Sequence, residues 1–184
     1  MPLLAVRGNG PASAYGFGAL SGAAGAMTAI ASTTLGSATA TVTFNSIPAS
    51  YDDIYLVGYR IGDSFNLRLN NDSGSNYSES LLYGDGSSAA SSRVSSQTEF
   101  SQLGDNGNTT TPGSFVVHIN NYANTSYNKT IIVRTATDLN GVGGQVRLDV
   151  GLYRSTSAIS RLDLIANGTF SANSVFALYG IKKA

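Results

Sequence analysis

The sequence predicts an all-β fold: an antiparallel two-sheet sandwich, jelly-roll-like, carrying an extended Gly/Ala-rich N-terminal arm. Three observations predict it. From Ala38 onward, apolar residues recur with period two in short runs, the mark of strands whose side chains alternate between two faces. Turn-forming clusters such as NNDSGSN, GDGSS, GDNGNTTTPG and NGVGG separate those runs, with Gly and Asn supplying positive φ. Charged residues make up only 12% of the 184-residue chain, and Gly, Ser, Thr and Asn fill the polar positions, which suits strands and turns better than helices.

Two regions follow from the composition. Residues 1–37 form the arm and residues 38–184 the sandwich. The first 40 residues hold 7 Gly and 11 Ala with Arg7 as their only charge, too few large side chains for a core of their own. Tyr15 and Phe17 stand among glycines that let backbones approach closely, so the arm is read as a docking segment resting on Arg7, Tyr15 and Phe17.

About nine strands are expected in the sandwich. ATATVTF sets Ala40, Val42 and Phe44 on one face. FNLRLN turns Phe65, Leu67 and Leu69 inward, and VRLDVGLYR repeats the pattern with Val146, Leu148, Val150 and Leu152. DIYLVGYR, KTIIVRT and SVFALYGI are apolar on both faces and must be covered on both, by the arm or by a neighbouring subunit. The Ser-rich stretch from Ser87 to Leu103 is poorly periodic and reads as a long excursion.

A formal net charge of zero, 11 basic against 11 acidic residues, offers no field for nucleic acid or anionic lipid. With no cysteine there are no disulfides, thiolate nucleophiles or sulfur metal sites. The start MPLLAVRGNGP places Arg7 after too short an apolar run for a signal peptide, and Ala19–Ala31 is too short and too rich in small residues to span a membrane. A soluble product made without secretion is expected, with no cofactor.

No catalytic constellation emerges. His118, the only histidine, stands in SFVVHIN opposite Phe115, Val117 and Ile119, a half-exposed strand histidine without a nucleophile or orienting partner; in a trimer, three copies could meet on an axis and bind one metal ion. Asp52 and Asp53 are adjacent and point to opposite faces of a strand. A distant acid pair such as Glu79 with Glu99 has no support, though glycosidase chemistry would need one. Asn70, Asp72, Gly74, Asn76 and Glu79 faintly echo a calcium loop, but an Asx-rich hairpin fits better. The glycines of GNGPASAYGFG lack a phosphate-binding lysine, and the Asn71, Asn124 and Asn167 sequons only mark surface loops. Tyr77, Tyr83, Tyr122 and Tyr127, in or beside loops, are candidate external contacts that could stack on sugars.

The segments FNSIPASYDDIYLVGYR, LRLNNDSGSNYS, FVVHINNYAN and STSAISRLDLIANGTFSANSVFALYGI, in this order between Val42 and Ile181, resemble those of structural proteins of tailed phages, especially phages of aquatic bacteria. RGNGPASAYGFGA is similar to the aromatic-glycine leader of phage tail-appendage proteins. The resemblance implies a virion protein, usually a homotrimer, that docks to other virion proteins through the arm. Its expected role is a tail or baseplate appendage. Alternatives are a capsid decoration (cement) protein and an adhesin for a host surface glycan; a glycan-cleaving depolymerase is the remaining, enzymatic, rival.

Overall fold

The computed structural model describes residues 27–104, 111–141 and 143–182. The described residues are all-β, with twelve strands among them: β1 (Met27–Thr34), β2 (Thr39–Phe44), β3 (Asp53–Arg60), β4 (Phe65–Leu69), β5 (Tyr77–Gly84), β6 (Ala89–Gln97), β7 (Phe100–Leu103), β8 (Gly113–Ile119), β9 (Lys129–Asp138), β10 (Gly144–Tyr153), β11 (Leu162–Phe170) and β12 (Val175–Ile181). An eight-stranded sheet in the order β1-β12-β3-β8-β9-β10-β5-β6 packs on a four-stranded sheet in the order β2-β11-β4-β7. Every pairing is antiparallel. Each strand of the small sheet is entered from the large sheet and left towards it, so the chain stitches the two layers together repeatedly.

Local chemistry sets the corners. Asn70 and Asn71 take positive φ after β4, and Asn140 with Gly141 does so between β9 and β10, a conformation that Asn and Gly tolerate at low steric cost. Asp85 closes the β5–β6 hairpin, its Oδ1 accepting hydrogen bonds from the Ser87 and Ser88 amides. Tyr51 packs a corner against β12, where Gly180 leaves the space: a Cβ there would sit 2.3 Å from the ring Cγ.

The core lies between the sheets. Phe65, Leu67 and Leu69 are fully buried as the alternation requires, and Val42 and Phe44 of β2 are buried with them. Phe65, Phe115, Phe170 and Phe176 form one tilted aromatic cluster, with centroids 5.0 to 6.3 Å apart. Tyr77 stacks on Tyr153 and meets Phe100 edge-on. Burying each such ring contributes about 1.5–3 kcal/mol.

Three expectations are corrected. The sandwich already includes β1, which pairs with β12 although residues 27–37 were allotted to the arm. The supposed excursion from Ser87 to Leu103 carries β6 and β7, an edge strand of each sheet; edge strands bury little apolar surface, so a polar, weakly patterned sequence suffices. The third concerns β10. Val146, Leu148, Val150 and Leu152 face out, at 66%, 41%, 46% and 36% exposure, whereas Arg147, Asp149, Gly151 and Tyr153 face in.

The reason for this inversion lies in the partners across the core. Tyr153 stacks on Tyr77 and donates its hydroxyl to Asp72, and Phe100 fills the space above Gly151, where a Cβ would sit 2.3 Å from its ring. With period two, these inward positions force Leu152 and Val150 outward.

Candidate functional site

The outer face of the eight-stranded sheet is the candidate site. The strands expected to be apolar on both faces, β3, β9 and β12, lie in this one sheet, with β8 inserted between β3 and β9. Their inward residues fill the core and their outward ones join across the ladder. Tyr179 pairs with Tyr55, Tyr55 with His118, and His118 with Ile132, while Ala177, Val57 and Val116 form the neighbouring row. β10 extends the surface with its four exposed apolar residues, and β5 adds Leu82 opposite Leu148. Among the described residues nothing covers this face.

Its polar content is small. His118 is half-buried, stacks on Tyr55 with centroids 4.1 Å apart, and lies 3.5 Å from Asp53, whose other oxygen accepts from the Asn121 amide. Arg134 stands beside Leu148 and Val116 and has no ion-pair partner among the described residues. A shallow apolar depression opens there between Leu82, Val116, Ala136, Val146 and Leu148.

Behind β10 the pattern reverses into a buried polar row. Arg147 donates to both oxygens of Asp149 at 2.6–2.9 Å and to the Ser101 carbonyl at 3.3 Å. Glu79, on adjacent β5, accepts from the Ser101 hydroxyl at 3.0 Å, while its second oxygen is buried without a partner among the described residues. Burial pushes the Glu79 carboxyl above its ordinary range, with the Asp149 charge adding to the rise and Ser101 opposing it. Asp149 is raised by burial too, against the pull of Arg147. Lys129, also buried, donates to the carbonyls of Tyr127 and Thr156, and desolvation lowers its pKa.

These groups do not form an acid pair like those that flank a glycosidic bond. Glu79 lies inside with Ser101, whereas Glu99 pairs with Arg68 at 2.7 Å and accepts from Asn66 on the outward side of β4. Nor is the Asn70–Glu79 segment a calcium loop. Asp72 accepts from the Gly74 amide, Asn76 and the Tyr153 hydroxyl; although burial tends to raise its pKa, these three donors outweigh that and hold the carboxyl below its usual range. Asn70 is occupied by Ala158 and Ser160, and Glu79 points into the core. Among the described residues no group of three or more His, Asp or Glu could hold a metal ion, and no helix is long and apolar enough to cross a membrane.

Two of the four tyrosines named as external contacts are corrected. Tyr77 is fully buried and its hydroxyl bonds the Leu69 amide and the Leu69 and Asp72 carbonyls; Tyr122 is fully buried and donates to the Pro48 carbonyl. Each is a core ring tethered by its hydroxyl, the usual state of a buried tyrosine. Tyr83 is half-buried and Tyr127 is 71% exposed. Arg7, Tyr15 and Phe17 lie outside the described residues. The sequence reading missed the Arg147–Asp149–Glu79 row; its one available signal was the Arg-x-Asp spacing, which puts opposite charges on one face of a strand.

In comparison with known proteins, no family model, no curated protein and no solved structure matches the chain.

Proposed function

We propose that this chain is a structural subunit of a tailed-phage virion, a protein that works by assembly and not by turnover. The observation that carries the assembly reading is the uncovered apolar face of the eight-stranded sheet, which spans β12, β3, β8, β9, β10 and β5. Monomeric proteins rarely leave a contiguous apolar surface of that extent in water. The ordered phage-like segments between Val42 and Ile181 supply the virion setting, and the resemblance implies a homotrimer attached through the arm to a tail or baseplate component. The cement-protein alternative uses the same face and arm on a capsid. The adhesin alternative has less support, because of its four candidate tyrosines only Tyr127 and part of Tyr83 remain available for stacking on a host glycan.

Truncation tests the docking arm. Leu35 exchanges backbone hydrogen bonds with Asn173 and Ser174, and β1 completes a sheet edge, so the deletion must stop before Met27. A chain lacking residues 1–26 is expected to fold and self-associate but to be missing from particles assembled with it, as read by labelled antibody on intact virions. Normal incorporation of the shortened chain would remove the arm's role, and the position of the label on full-length particles separates tail from capsid.

A further inference from the structure

We infer that the outer face of the eight-stranded sheet docks against the same face of a second copy of this chain, with the β10 row Val146–Leu148–Val150–Leu152 along the two-fold axis. The inference rests on the assembly reading above and adds the surface and a two-fold symmetry; with the homotrimer that the resemblance implies, the even number of copies is reached by setting two trimers face to face.

Size is the first argument. The apolar part of the face spans six strands. At about 4.8 Å between strands and about six residues of 3.3 Å rise, it projects to roughly 570 Å², and side-chain relief brings the accessible area towards the ~800 Å² per partner that stable interfaces bury. Shape is the second. Outward rows at two-residue spacing are complemented by an identical pleated layer about 10 Å away, the geometry in which sheets pack face to face.

Residues 1–26 cannot match this: six glycines and seven alanines leave few side chains long enough to fill the rows.

The chain has no cysteine, so a single introduced thiol reports on contact without background. Full-length Val150→Cys treated with a short bis-maleimide is expected to give a cross-linked dimer in high yield. Thr41→Cys, exposed on the four-stranded sheet, should stay uncross-linked. In sedimentation velocity the wild type should run as a dimer or a multiple of two. Leu148→Glu with Val150→Glu should run at half the wild-type number of copies with an unchanged far-ultraviolet circular dichroism spectrum, and Thr41→Glu as the wild type does.

A trimer that does not cross-link through Val150→Cys would overturn the face-to-face pairing while leaving the assembly reading intact. A monomeric wild type that begins to associate once residues 1–26 are removed would make the arm the occupant and overturn the inference. A wild type monomeric with or without those residues would overturn both.

Discussion

At the scale of single residues, Glu79 is the position where burial and charge conflict most plainly. Its carboxyl is raised by desolvation first and by Asp149 second, so between the unfolded carboxylate value of about 4.3 and its raised native value the folded state binds more protons than the unfolded chain. The stability it contributes is therefore fully present below the unfolded value and is lost as pH rises through the native one. Gln copies the protonated form, keeping an acceptor for Ser101. Urea unfolding of Glu79→Gln between pH 4 and pH 8 should show a stability advantage over wild type that grows with pH and then levels off. An advantage that is constant, or that shrinks as pH rises, would mean that Glu79 is not held in a destabilised ionised state at neutral pH.

At the scale of elements, β10 shows what a strand's sequence can and cannot reveal. The alternation in VRLDVGLYR was legible and correct, but which half of it faced the core was not. An apolar row reads as the buried one by default, because burial of large side chains is the main favourable term in folding. Here Tyr77 and Phe100, both far from β10 in sequence, claim the opposite phase, and the i, i+2 pair Arg147 and Asp149 neutralises its own charge inside. By contrast β4 was read correctly, since its alternative face, Asn66 and Arg68, had nothing apolar to offer.

The polar row makes a sharp prediction. Arg147→Met leaves Asp149 buried without its cation and should cost about 3–5 kcal/mol in urea unfolding, whereas Arg147→Met with Asp149→Leu should recover most of that loss, because removing a buried pair together is often neutral. A double variant as unstable as the single one would assign the cost to lost shape and not to the orphaned charge.

For the whole molecule, the layer architecture was legible because it follows from period and turn chemistry, while the strand order was not, because the chain crosses repeatedly between sheets and its pairings are non-local. The demand for cover on two-faced strands was read from composition, and the fold collects those strands in one sheet, but the sequence could not say that β10 joins them with its own apolar row turned outward. That surface decides how association should respond to salt. Apart from Arg134, the His118–Asp53 contact and Arg93 at the β6 edge, the described residues of its rows between β12 and β5 are mostly uncharged, so association draws on apolar contact and hydrogen bonds. Screening lengths fall from about 10 Å at 0.1 M salt towards 3 Å at 1 M, which weakens exposed ion pairs and leaves apolar burial in place.

The dissociation constant from sedimentation equilibrium should therefore change by less than about threefold between low salt and about 0.5 M sodium chloride. Sodium sulfate, which is excluded from protein surfaces, should tighten it. Dissociation in sodium chloride would instead mean that ion pairs hold the copies together, and since the β-sheet face has almost none to give, the contact would have to lie elsewhere on the molecule.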